Sequence, residues 1–429
     1  MIPLPLGDVE GLGRLDADAD VVTGVKIDSR LVEPGDLFVA VGPGADFVAD
    51  ARARGAAATL LPDDAFTAMA AIGRSVRARS SARVVGITGS TGKTSTKDIL
   101  AALSAPVART VAAEASYNNE LGVPLTLCRL EEDTEVCVLE LAMRGLGQIS
   151  HLAEIARPDL GVITSVGPAH LELVGSLAAV AEAKAELLVA LPAGATAVVP
   201  DDVPDLEPYL RDDLEVRRFG RDQIIDFEIV DNSARVRYRL GARELELSFN
   251  FTARHHALNA LAALHAYDAL GLPLEHAARG SSQIAFSRWR GDEVPLPGGG
   301  VLINDAYNAN PISMRAALDH LVERAEGRRS IAVLGEMAEL GPDAPAYHRE
   351  IGVYASAAGV DLLVAVGQLA REYLDAWPED EPGALWVPTV EAAQLALADL
   401  LQPGDCVLVK ASRAAGLEAI ALGIAGVAA

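Results

Sequence analysis

The stretch from Val84 to Lys97 reads Val-Val-Gly-Ile-Thr-Gly-Ser-Thr-Gly-Lys-Thr-Ser-Thr-Lys. An apolar run enters a glycine-rich turn, and a helix-forming segment opens at Lys93. This pattern constrains the fold more than any other in the chain. A buried strand must deliver the turn, and backbone N–H groups with a helix N-terminus behind them must converge on one anion. In such a loop Gly89, Ser90, Thr91, Gly92 and Ser95 surround phosphates, Lys93 reaches the β- and γ-phosphates, and the Thr94 hydroxyl binds Mg²⁺. The strict GxxxxGK[ST] spacing is not met, because Ile87 occupies its first glycine position. Alone, the loop indicates a nucleoside triphosphate and suits a motor, a kinase or a ligase equally.

The alternation continues on both sides of the loop. Short continuous apolar runs at 83–88, 136–141, 160–166 and 196–199 predict strands buried on both faces, with helical patterns between them. The central segment, 83–294, therefore reads as an α/β domain with a mostly parallel sheet. Residues 221–251 alternate polar and apolar, which predicts antiparallel strands added to that sheet. A turn-rich break at 295–300 precedes further strand candidates at 301–304, 331–334, 362–366 and 406–409. Residues 295–429 thus form a smaller, doubly wound, Rossmann-like domain. Residues 1–82 form a small α/β domain with a strand candidate at 36–41, a helix at 47–54 and a strand at 56–61. The Arg- and Ser-rich stretch 74–83 reads as its linker.

Charge and composition limit the partners. With 60 acids and 36 bases in 429 residues, the net charge is −24, which disfavours nucleic acid and anionic membranes. No apolar run reaches 18 residues, so no membrane span is expected. The N-terminus has neither a basic start nor a long apolar stretch, so no signal peptide is expected. Cys128, Cys137 and Cys406 lack metal-site spacing and fit a reduced, cytoplasmic setting.

In open α/β sheets chemistry gathers at the carboxyl ends of strands. Glu140 lies at the end of the second central strand, as a metal-binding acid would. His170 follows the third, and reads either as a ligand or as a capping or core histidine. Lys184 is one of only five lysines. Leu177, Val180, Lys184, Leu187 and Leu191 share one helical face. A lysine on that stripe is desolvated and less basic. As a neutral amine it could take up CO₂ as a carbamate, an oxygen ligand for Mg²⁺. The other reading is a snorkelling lysine paired with Glu140 or Glu186.

These segments resemble the Mur ligases, ATP-dependent amide-bond-forming enzymes of peptidoglycan synthesis. The likeness rests on the phosphate loop, on 117–124 (Tyr-Asn-Asn-Glu-Leu-Gly-Val-Pro), on 183–186 (Ala-Lys-Ala-Glu), on 304–314 (Asn-Asp-Ala-Tyr-Asn-Ala-Asn-Pro-Ile-Ser-Met) and on 335–341 (Gly-Glu-Met-Ala-Glu-Leu-Gly). It spans nearly the whole chain. It implies three domains, for UDP-linked substrate, ATP and amine. It also implies the addition of D-alanyl-D-alanine to UDP-N-acetylmuramoyl-tripeptide through an acyl phosphate.

By the same resemblance, Lys93, His170 and Lys184 are catalytic. One Mg²⁺ is held by Thr94 and Glu140, and a second by His170 and a carbamylated Lys184. Asn259 approaches the nucleotide and Arg290 its phosphates, while Asp305, Tyr307, Asn308 and Asn310 hold ribose and adenine. Ser29 contacts uridine, and Asn118 and Asn119 meet the rest of that substrate. Lys410, Ser412 and Arg413 match a C-terminal family segment. Glu336 and Glu339 either attract the dipeptide's ammonium or are solvated acids. Ser165 stands where the family often has Asn, and Gln148 where Glu is frequent. A monomer is expected.

Overall fold

The computed structural model describes residues 1–377 and 383–428. Close contacts divide the chain into two compact units. One comprises residues 1–165, 181–250 and 258–285; the other comprises 166–180, 251–257 and 286 onward.

The first unit is built on a six-stranded, wholly parallel sheet. Its order is Glu215–Phe219, Thr196–Pro200, Leu160–Ile163, Arg83–Thr88, Val136–Glu140, Thr110–Ala112. The middle strands are buried along almost their full length, as continuous apolar runs covered on both faces should be. Gly86 and Gly161 are register partners on adjacent strands. A Cβ at Gly86 would stand 3.1 Å from Leu187, and one at Gly161 3.1 Å from Leu191. Missing side chains on the sheet thus let the helix Leu177–Ala190, which carries Lys184, settle close against the strands.

The polar-apolar alternation at 221–251 forms a separate three-stranded antiparallel sheet, Ile224–Val230, Ser233–Leu240, Arg243–Phe249. The expectation that it extends the parallel sheet is therefore incorrect. Ala234, Val236, Tyr238 and Leu240 are buried, whereas Arg235, Arg237 and Arg239 face solvent. A sheet buried on both faces has no place for that arginine row.

The N-terminal residues form a four-stranded sheet, ordered Gly13–Ala17, Ala58–Pro62, Asp36–Val39, Gly24–Lys26. The stretch 74–83 is not a linker. Most of it lies in the helix Ala65–Arg79, whose Ala68, Met69, Ile72 and Val76 are buried. Arg77 donates to the carbonyls of Ala156 (3.0 Å) and Arg157 (3.0 Å) and pairs with Asp159 at 2.9 Å. Polar composition concealed a helix whose apolar stripe and arginine anchor join it to the central sheet's helices.

The second unit has its own six-stranded sheet, ordered Asp292–Pro295, Val301–Asp305, Cys406–Lys410, Ser330–Leu334, Leu362–Val366, Ala384–Val387. Only the first pairing is antiparallel. Apolar clusters cover both faces. The helix Pro311–Ala325 starts from Asn310, whose side chain accepts from Ser313 N–H at 2.9 Å, with proline in its first turn. Among the described residues no helix is long and apolar enough to cross a membrane.

Candidate active site

The phosphate loop leaves the strand Arg83–Thr88 and enters the helix Lys93–Ser104. Gly92 caps that helix with φ +80°, and a Cβ there would stand 2.4 Å from Asn259 Oδ1. Both the backbone and the space require glycine, and Asn259 is thereby placed directly behind the loop. Two neighbours hold the turn. Ser165 O accepts Ser90 N–H (2.9 Å), and Ser165 Oγ accepts Thr91 N–H (2.8 Å). Thr164 Oγ1 donates to Thr91 O at 2.5 Å. Ser165, where the family often has Asn, therefore shapes the loop from the next strand's end. Lys93 Nζ folds back to donate to Gly89 O at 2.7 Å.

Thr94 and Glu140 are 1 % exposed, and Thr94 Oγ1 donates to Glu140 Oε2 at 2.8 Å. Glu140 ends the strand Val136–Glu140, as expected. Its other oxygen accepts from Asn118 Nδ2 at 2.9 Å. Asn119 instead accepts Gly122 N–H at 2.9 Å, at the start of the helix Gly122–Leu127. Buried Lys97 donates to the Ala113 and Ala115 carbonyls (2.6 and 3.2 Å), tying the segment that leads to Asn118 onto the phosphate-loop helix. Thr164 supports the site without any motif to single it out, and Lys97 does so from the end of the phosphate-loop stretch.

Lys184 is fully buried, and its Nζ has no hydrogen-bond partner. It is not a snorkelling lysine. Burial first, then the Lys93 ammonium, hold its basicity well below that of an ordinary lysine, with Glu140 and Glu186 pulling the other way. Glu186 is occupied elsewhere, accepting the Gly147 and Ser150 N–H groups at 2.5 and 2.9 Å. Val180, Leu187 and Leu191 share the buried face as expected, but Leu177 is 44 % exposed. Among the described residues no group of three or more His, Cys, Asp or Glu side chains gathers as a metal cage.

Ser29, in the N-terminal part of this unit, is 6 % exposed and begins a turn of helix at 29–31. Gln148 Oε1 accepts Arg144 N–H at 2.6 Å and closes the loop after Glu140.

The second unit gathers another set. Asp305 ends the strand Val301–Asp305, and buried Lys410 donates to Asp305 Oδ2 (2.5 Å) and Asn308 O (2.9 Å). The Arg290 guanidinium lies 4.0 Å from the centre of the Tyr307 ring, and that of Arg413 4.3 Å from Trp289. Asn310 is the helix cap described above. Ser412 Oγ accepts Ala338 N–H at 2.9 Å and donates to Ala309 O at 3.3 Å, pinning two loops. His170 belongs to this unit, where its Nδ1 meets the Glu339 carboxylate. Glu336 accepts Leu369 N–H at 2.9 Å. Neither acid is merely solvated.

The pattern of the Mur ligase middle domain matches residues 87–267, and that of the Mur ligase glutamate ligase domain matches 290–413. A relative from Mycobacterium tuberculosis, UDP-N-acetylmuramoyl-tripeptide–D-alanyl-D-alanine ligase, is 37 % identical over 97 % of this chain and 94 % of its own. The chain belongs to the Mur ligase family. Solved structures agree with this Mur ligase along its length. MurF from Acinetobacter baumannii superposes with a TM-score of 0.87 at 26 % identity, covering 99 % of both chains. MurF ligase from Thermotoga maritima in complex with ADP gives 0.81 at 26 % identity, covering 94 % of this Mur ligase and 97 % of that chain.

Proposed function

We propose that this Mur ligase uses ATP to join D-alanyl-D-alanine to UDP-N-acetylmuramoyl-tripeptide, releasing ADP and phosphate and supplying the pentapeptide precursor of peptidoglycan. One observation carries the reading. At the strand ends a hydroxyl from the first turn of the helix after the loop, Thr94, touches a buried carboxylate, Glu140, and a bare buried amine, Lys184, lies in the same unit. The relative's name supplies the substrates.

The tripeptide carboxylate attacks the γ-phosphorus, ADP departs, and an acyl phosphate results. The dipeptide amine then attacks that carbonyl carbon, loses a proton, and phosphate leaves. Lys93 is freed from Gly89 to meet the γ-phosphate, and the loop N–H groups from Gly89 to Ser95 cradle the chain of phosphates. Asn259 backs this loop. Magnesium would supply positive charge between two anions that otherwise repel. Thr94 and Glu140 suit one such ion, since Mg²⁺ takes one or two protein oxygens and fills its shell with phosphate and water.

Lys184 Nζ, neutral by burial, adds to the carbon of CO₂ and releases a proton, giving the carbamate oxygens a second ion would take. His170 is the nitrogen ligand in this reading. In the second unit, Arg290 contacts phosphate, and Asp305, Tyr307, Asn308 and Asn310 hold ribose and adenine. Ser29, Asn118 and Asn119 are assigned to the UDP-linked substrate. The functional domains are 1–82, 83–294 and 295–429, acting as a monomer in the cytoplasm, where ATP is available.

Mass spectrometry of the reaction tests the proposal. The product should carry the tripeptide substrate plus both alanines, and a product extended by one residue would overturn the assignment.

A further inference from the structure

His170 and Glu339 are both non-glycine residues with left-handed backbones, φ 60° and 62°. Such residues cluster where a site imposes its geometry, and these two face each other. The Glu339 carboxylate meets His170 Nδ1, and its carbonyl accepts Glu172 N–H at 3.2 Å. One residue therefore holds the histidine by its ring and by the backbone two positions on. The surrounding packing is close. A Cβ at Gly341 would stand 3.3 Å from Glu172 Cα, and one at Gly167 2.0 Å from Ile312 Cδ1.

We propose that Glu339 is the positioning residue for His170, fixing its neutral ring as the Nδ1–H tautomer. A neutral imidazole that donates from Nδ1 carries its lone pair on Nε2. Nε2 is then the atom offered to a divalent cation. Histidine ligands are commonly oriented by a carboxylate on the opposite nitrogen, which also raises their donor strength. The inference rests on the reading of His170 as a metal ligand and gives Glu339 a place in it. It also replaces the earlier alternatives for Glu339, dipeptide ammonium or solvent.

The test uses the full chain with ¹⁵N-labelled histidine. His170→Asn identifies the ring's signals among the eight histidines. At pH 8 the ring should be the Nδ1–H tautomer in the wild type and in Glu339→Gln, whose amide oxygen still accepts. In Glu339→Asn, which tolerates the left-handed backbone but is one carbon shorter, the proton should move to Nε2. Mn²⁺ affinity, measured in the presence of ADP, should fall about 10–100-fold in Glu339→Asn and recover in Glu339→Gln. A wild-type ring protonated on Nε2 or on both nitrogens overturns the proposal, as does a tautomer unchanged in Glu339→Asn. A tautomer that follows Glu339 while Mn²⁺ leaves the His170 signals unmoved overturns the metal reading of His170 itself.

Discussion

Thr94 Oγ1 stands 2.8 Å from Glu140 Oε2, joining the first turn after the phosphate loop to the last residue of the neighbouring strand. Asn118 takes the other carboxylate oxygen at 2.9 Å. The carboxylate is thus aimed from two sides before any ligand arrives, which is the preorganisation that phosphoryl transfer needs. Glu140→Gln should lower the ATP-dependent turnover rate by about 10²-fold or more. Thr94→Ser, which keeps the hydroxyl, should retain most activity, and Thr94→Val should not. Equal losses in Thr94→Ser and Thr94→Val would show that the hydroxyl is not what matters.

Gly92→Ala is predicted to damage nucleotide binding. The new methyl would press on Asn259 Oδ1 at 2.4 Å, and φ +80° costs an alanine roughly 1–2 kcal/mol. The loop must shift to relieve both. ATP binding followed by calorimetry should weaken about tenfold or more, since tenfold corresponds to about 1.4 kcal/mol. Unchanged affinity would mean that the loop adapts freely.

Lys184→Met separates stability from function. An unpaired buried polar group costs on the order of 1–3 kcal/mol, and methionine fills similar space without that cost. In bicarbonate-free buffer the variant should melt at the wild-type temperature or above it, while with bicarbonate present its turnover should lie about 10²-fold or more below wild type. A lower melting temperature in that buffer would mean that the buried Lys184 amine finds a stabilising partner there; with bicarbonate present, Lys184 should be carbamylated. Loss of CO₂ mass on acidification would identify that state.

Acid should destabilise the second unit through His256 and Glu293. Burial pushes His256 down to about 3, where it stacks on Phe286 with ring centres 4.6 Å apart. Burial alone would raise Glu293, but hydrogen bonds from His320, Thr252 and Arg324 outweigh it and bring the acid down to about 2. Both folded values lie below the unfolded ones, so the unfolded chain binds the extra protons. His256 contributes its full stability above about pH 6.5 and loses it as pH falls toward 3. Glu293 does the same from about 4.5 toward 2. Each should steepen the decline by at most about 1.4 kcal/mol per pH unit. Thermal midpoints measured from pH 8 to pH 4 should fall, and His256→Phe should flatten the upper part of that fall. A flat wild-type profile would contradict the assignment.

Much of this was legible in the sequence, for physical reasons. Continuous apolar runs announced the strands at 83–88 and 362–366 because those strands are buried on both faces. The phosphate loop announced its helix at Lys93 through glycine and the Lys-Thr pair. The short outer strands Thr110–Ala112 and Glu215–Phe219 carry no such signal, since each is only partly buried and neither forms a continuous apolar run. The helix 65–79 is masked in the sequence because its last turn is arginine-rich, although Val76 still faces inward. Contacts joining distant segments leave no local trace. Neither Ser165 against Thr91, nor Glu186 against Gly147, nor Glu339 against His170 can be read from spacing, because each pairs residues more than 35 apart.

The most direct test of the central claim is ATP-dependent phosphate release with UDP-N-acetylmuramoyl-tripeptide, with and without D-alanyl-D-alanine. Release that requires both substrates is the predicted result. Release supported by single amino acids but not by the dipeptide, or ATP binding with no release under any of these conditions, would contradict it.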